Sequence, residues 1–285
     1  MSTDVFEASM QRLAYLPPPK SYNDQQNITY VTTIDGDRIA TRTTSYLGRP
    51  YVSGETYDPE HRFVIFSHGN GDDIGTCDDY VRELAQTHKC NVVTYDYVNY
   101  GCSSKGYTTE KNMHAAITAV FDYVTNQLRV PAECVMLFGK SLGTAPTVYL
   151  SAQPFAEHIQ GVTLVSPLAS GVRAVLPAPI ASRKLLSALD SFFCPSIDLI
   201  QKTQVPVFII HGFEDKVINV VNARILASHL SQRSKYTPLF VHAGHNDIES
   251  THPITLREYL NAFFRHCDAR QRERDVSMLV EYDSD

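Results

Sequence analysis

Residues 134–143 read Cys134-Val135-Met136-Leu137-Phe138-Gly139-Lys140-Ser141-Leu142-Gly143. Val135 to Phe138 is a short apolar run, the pattern of a strand buried on both faces, and residues 142–152 continue with helical periodicity. Glycine, any residue, serine, any residue, glycine at a strand-to-helix junction predicts a sharp turn that lifts the serine hydroxyl above the sheet edge. The glycines there have a steric job, because a side chain two residues before or after Ser141 would strike neighbouring backbone. A phosphate loop ending in Gly139-Lys140-Ser141 fails on spacing. It would need glycine at 134, where Cys134 stands, and the residues between are strand-like rather than a ring of N–H donors.

Working outward, similar apolar runs occur at Phe63 to Phe66, Val92 to Tyr95, Val162 to Val165, Val207 to Ile210 and Leu239 to Val241. Periodic segments lie near 77–88, 109–128, 142–152, 219–232 and 253–266, so helices are expected on both faces of a mostly parallel sheet. Thr109 is the candidate N-cap of the clearest helix, with Ile117, Val120, Phe121 and Val124 on one stripe. Upstream, Ile28 to Ile34 and Asp37 to Thr43 alternate around Asp35-Gly36 and predict an N-terminal antiparallel hairpin. The interval 168–204 is long for a connection, carries three prolines and is rich in apolar residues, which reads as a short cap insertion. Residues 1–20 read as a short N-terminal helix, with Phe6, Met10 and Leu13 on one face, and a Pro-rich segment that stops it at Pro17-Pro18-Pro19. Residues 273–285 read as a frayed acidic tail, and the whole of 1–285 as one α/β domain.

The chain has 25 Lys and Arg against 31 Asp and Glu, a formal net charge of −6, which leaves no basic footprint for nucleic acid. Six scattered cysteines without a C-x-x-C pair offer neither a closed zinc site nor a disulfide framework, and fit a reduced, cytoplasmic protein. No apolar run is long enough to span a bilayer, and no secretory or myristoylation signal opens the sequence. The stripe on the first helix is expected to pack on the body, with peripheral membrane contact the alternative.

A serine hydroxyl needs a base to take its proton and an acid to orient that base. After Val207 to Ile210 comes His211-Gly212-Phe213-Glu214-Asp215, which puts Asp215 in a loop at the carboxyl end of the next-to-last strand. Glu214 is adjacent, but side chains one apart diverge, and Asp215 is favoured. After Leu239 to Val241 come His242, read as within the strand, and His245; His245, in the loop beyond the strand, is the better base. The order Ser141, Asp215, His245 is that of an α/β-hydrolase. The N–H groups of Leu142 and of Asn70, in the loop Ser67-His68-Gly69-Asn70-Gly71, are the expected oxyanion donors. His68 reads as a brace for that loop.

The segments Phe66 to Gly71, Asp96-Tyr97 through Tyr100-Gly101, Gly139 through Thr147 and Gly244 through Ile248 resemble the serine hydrolases of the α/β-hydrolase domain-containing protein 17 group, over most of the chain from about Leu13 to Phe264. That group removes palmitoyl groups from cysteines of membrane-associated proteins, and the resemblance implies Ser141, Asp215 and His245 as its triad. Lys140 stands where the resemblance implies glutamine. The group's N-terminal cysteine cluster has no counterpart before Cys77, so no lipid-anchor signal is expected. The function expected is a serine hydrolase of acyl thioesters or esters, with an acylated protein or a small acyl ester as substrate and no metal or organic cofactor. A general carboxylesterase or peptidase, or a non-catalytic binding module on the same scaffold, remain the alternatives. Leu176, Leu189, Phe192 and Phe193 of the insertion are candidates to line an acyl site, since each buried methylene is worth about 0.8 kcal/mol.

Overall fold

A computed structural model describes residues 14–25, 27–49, 61–175, 190 and 193–282. Eight strands form one sheet: β1 Thr29–Thr32, β2 Arg38–Thr44, β3 Phe63–Ser67, β4 Asn91–Tyr95, β5 Val135–Lys140, β6 Gly161–Val165, β7 Val207–Gly212 and β8 Leu239–Val241, in the order β1-β2-β4-β3-β5-β6-β7-β8. β4 to β8 and β3 run parallel, while β2 is antiparallel to both its neighbours. The expected hairpin is present, with Thr29 opposite Thr41 and Thr32 opposite Arg38. Its turn is wider than a two-residue one: Thr33 N donates to Asp37 O at 2.9 Å across Ile34-Asp35-Gly36.

The apolar runs are continuous because both faces of the sheet are covered. Phe63 and Ile65 of β3 enter one core with Val93, Tyr95 and Leu137, whereas Val64 and Phe66 enter the other with Val92, Met136 and Phe138. Eight helices pack around this sheet among the described residues: α1 Asp78–His88, α2 Glu110–Asp122, α3 Thr144–Ser151, α4 Gly171–Val175, α5 Ser196–Leu199, α6 Val221–His229, α7 Ile248–Thr251 and α8 Pro253–Tyr282. α2 starts where the sequence predicts, at a reciprocal cap. Thr109 Oγ1 accepts from Asn112 N at 3.1 Å, and Asn112 Oδ1 accepts from Thr109 N at 2.8 Å. It buries Met113, Ala116, Ile117, Val120 and Phe121 in the first core.

The last helix departs from expectation. α8 does not stop near 266 but runs to Tyr282, so the stretch read as a frayed tail is helical up to that residue. Neither glycine nor proline interrupts it after Pro253. Asp268 also ties it to the sheet, taking a two-pronged bond from Arg62 Nη2 at 2.9 Å and a third from Gln160 Nε2 at 2.9 Å. Of the N-terminal helix and Pro-rich segment expected over 1–20, residues 1–13 lie outside the described residues. Of the insertion 168–204, residues 176–189, 191 and 192 lie outside the described residues; 168–175, Asp190 and 193–204, with α4 and α5, are described. Arg173 of α4 and Asp190 pair at 2.6 Å, a link between two points within the insertion.

Candidate active site

β5 ends at Lys140, and the chain turns through Ser141–Gly143 into α3. Ser141 has φ of +52°, a left-handed conformation strained for a residue with a side chain, and the surroundings force it. A Cβ on Gly139 would lie 2.7 Å from Gly143 O and 2.8 Å from Thr144 Cα, and one on Gly143 would lie 2.0 Å from Ser67 O. The two glycines are what lets the turn pack against β3 and α3, as the sequence pattern predicts.

Three distant side chains meet above this turn. His245 Nε2 lies 2.8 Å from Ser141 Oγ, and His245 Nδ1 lies 2.7 Å from Asp215 Oδ2. A carboxylate only accepts, so Nδ1 carries the hydrogen and Nε2 is left with a lone pair facing the serine hydroxyl. Asp215 sits in the loop after β7, and its other oxygen accepts from Val217 N and Ile218 N, both at 2.8 Å. Burial alone would raise its pKa, but bonds from His211, His245 and Ile218 N–H hold it well below the usual carboxylate range. Glu214 points elsewhere, onto the exposed His242 at 3.5 Å. β8 ends at Val241, so His242 follows the strand rather than lying within it. The acid and base loops are joined by Phe213 N to Val241 O at 2.8 Å and Glu214 N to Ala243 O at 3.0 Å.

Sequence reasoning missed two supports. His211, fully buried at the end of β7, reaches Asp215 Oδ2 at 3.1 Å and Ile218 O at 2.8 Å through the same Nε2–H. Its position four residues before Asp215 was the available signal, but only the fold of the loop turns the pair together. Lys140, beside the serine, is ion-paired: its Nζ lies 2.8 Å from Glu249 Oε1 on α7, just past His245.

Leu142 follows the serine at the start of the helical turn, and the loop bearing Asn70 lies opposite. A Cβ on Gly69 would come within 3.8 Å of Ser141 Cβ. The Asn70 side chain is engaged away from the serine, its Oδ1 accepting from Leu16 N at 3.0 Å and Tyr100 OH at 2.6 Å, its Nδ2 donating to Ala14 O at 2.7 Å. Of the apolar candidates in the insertion, Leu176, Leu189 and Phe192 lie outside the described residues. Phe193 is buried in the first core, edge-to-face on Tyr15 at 5.7 Å and packed over Gly171. Among the described residues no His, Cys, Asp and Glu cluster is arranged to hold a metal ion, and no helix is long and apolar enough to cross a membrane.

A sheet in this order with a serine on a sharp turn after its fifth strand defines an α/β-hydrolase, and the family model for the alpha/beta hydrolase fold matches residues 63–193. The chain is 32% identical over 256 residues to alpha/beta hydrolase domain-containing protein aho-3 of Caenorhabditis elegans, covering 84% of this chain and 73% of that protein. It is 41% identical over 214 residues to alpha/beta hydrolase domain-containing protein 17C of Xenopus tropicalis, and 38% identical over 187 residues to human protein 17B. These matches span 74% and 65% of this chain but only 64% and 61% of the two relatives. An esterase of Pyrococcus furiosus superposes with a TM-score of 0.65 at 15% identity, covering 88% of this chain and 99% of that one. The chain belongs to the α/β-hydrolase family, is a hydrolase of that superfamily, and is related to the α/β-hydrolase domain-containing protein 17 group.

Proposed function

We propose that the protein is a serine hydrolase that cleaves acyl thioesters or esters through an acyl-enzyme on Ser141, its substrate an acylated protein and its activity that of a depalmitoylase. The observation that carries this reading is the unbroken relay from Ser141 Oγ through His245 to Asp215, at 2.8 and 2.7 Å. His245 Nε2 takes the hydroxyl proton as Oγ adds to the acyl carbonyl carbon. Asp215, kept ionised by its donors, fixes the tautomer and stabilises the imidazolium. The N–H groups of Leu142 and Asn70 hold the oxyanion. The imidazolium then protonates the departing thiolate or alkoxide, and a water activated by the same nitrogen releases the acid.

The relation to the protein 17 group supports a long acyl chain and a cysteine thiol as leaving group. The six free cysteines favour a reducing, cytoplasmic setting, with contact at a membrane surface where acylated proteins lie. Purified protein assayed against a palmitoyl thioester, a short-chain ester and an aminoacyl amide tests the reading. Preference for the long-chain thioester supports it. Preference for the short ester makes the protein a general carboxylesterase, and preference for the amide a peptidase.

A further inference from the structure

His68 and Asp96 have fully buried side chains directly behind the loop that carries Asn70. His68 Nδ1 lies 2.8 Å from Gly69 O and His68 Nε2 3.1 Å from Asp96 Oδ1. A carbonyl oxygen has no hydrogen to give, so Nδ1 must carry one. The Asp96 carboxylate is surrounded by donors as well. Ile74 N donates to Oδ1 at 3.0 Å, and the Tyr22 hydroxyl, which itself accepts from Cys102 N at 3.1 Å, donates to Oδ2. A carboxylate collecting these two bonds acts as an acceptor, which leaves the hydrogen it shares with His68 on Nε2.

We propose that His68 is a buried imidazolium whose Nδ1–H polarises the Gly69–Asn70 peptide, aiming and strengthening the Asn70 N–H as an oxyanion donor; this rests on the serine-hydrolase reading above. Gly69 C=O and Asn70 N–H belong to one peptide plane and point in opposite directions when that bond is trans. A bond that pulls the carbonyl toward His68 therefore turns the N–H away from it, and charge on the donor makes that N–H a better donor in turn. The peptide lies against the nucleophile, as the approach of Gly69 to Ser141 Cβ requires. His68 is thus a positioning residue that touches no substrate atom.

The surroundings favour the charge. Burial lowers the pKa of His68, but the bond to Asp96, that residue's charge, the Gly69 carbonyl and the charge of Asp72 outweigh it and raise it above the ordinary value. The rings of Tyr97 and Tyr100 pack on the imidazole at 4.5 and 5.7 Å, and Tyr97 donates its hydroxyl to His68 O at 2.7 Å. Burial raises the pKa values of Tyr22, Tyr97, Tyr100 and the Cys77 thiol, so these neighbours stay neutral and the two aspartates are the charges His68 meets.

Nitrogen NMR of the full chain with labelled histidine, at pH 8 where a free imidazole is neutral, reads the charge directly. His68 is assigned by loss of its signals in His68→Gln, or by through-space contact with the Tyr97 ring if that variant does not fold. Both ring nitrogens protonated supports the proposal; one bare nitrogen overturns it. In parallel, His68→Gln should lower kcat about ten- to hundredfold with KM near wild type, since the lost interaction matters as oxyanion charge develops. An unchanged kcat, or a loss confined to KM, contradicts it. Ser141→Ala, assayed alongside, separates the two readings. If it is inactive while His68→Gln matches wild type, only the present proposal fails. If Ser141→Ala retains wild-type turnover, the serine reading fails first.

Discussion

Buried carboxylates ordinarily become weaker acids, and the opposite behaviour of Asp215 has a measurable signature in stability. Its folded pKa is depressed, so the stability it contributes is present above the unfolded value of about 3.9 and is lost as pH falls toward the folded value. Asp215→Asn should flatten the acid side of the stability–pH curve, read from urea midpoints between about pH 5 and 2, and should lower kcat by about 10⁴ by removing the carboxylate that fixes the His245 tautomer. His68 carries the reverse sign. Its folded pKa is raised, so its contribution is fully present below about pH 6.5 and disappears as pH rises through the folded value. Wild type should therefore show an alkaline decline in urea midpoint that His68→Gln lacks. At this scale the sequence was legible where chemistry and chain order coincide: chain order points to the loops that hold Asp215 and His245, whose side chains meet Ser141, while Glu214 and His242 face each other away from it. The link from His211 to Asp215 was hidden because a four-residue spacing says nothing about contact until the loop after β7 is folded.

At the scale of elements, the ends of strands and helices decide the geometry, and two of them are testable. Thr109→Ala removes one half of the cap on α2 and should cost about 1 kcal/mol in chemical denaturation while leaving turnover unchanged. The Lys140–Glu249 pair joins the serine turn to α7, immediately beyond His245, with both side chains largely shielded. Lys140→Met leaves the carboxylate of Glu249 unpaired and should cost about 1–2 kcal/mol, a fall in Tm of roughly 2–8 °C. The exchanged pair Lys140→Glu with Glu249→Lys should recover at least half of that. No recovery would mean that Lys140 acts through something other than this bond. The run Val135 to Phe138 locates β5 but not its end, because strand pairing with β6 extends regular structure through the glycine to Lys140, where a one-dimensional pattern expects a turn. Likewise the acidic composition after 273 suggested fraying, whereas the anchor from Arg62 and Gln160 to Asp268 joins residues more than a hundred positions apart and is invisible along the chain.

For the molecule as a whole, the continuous apolar runs were enough to announce a sheet buried on both faces, since only helices on each side satisfy Phe63 and Val64 at once. The crossing by which β4 and β3 exchange order is not written in periodicity and became visible only in the fold, where it sets the Asn70 loop beside Ser141. The architecture makes Gly143 a shared contact between α3 and β3, so Gly143→Ala should cost about 3 kcal/mol or prevent folding, as followed by thermal unfolding. On the serine-hydrolase reading, this convergence makes one serine among many nucleophilic. Mass spectrometry of the chain after reaction with a fluorophosphonate measures it most directly. One adduct on the peptide containing Ser141, absent in Ser141→Ala and much slower to form in His245→Ala, is the result expected. An adduct on another serine, or equal labelling of Ser141→Ala, would contradict it.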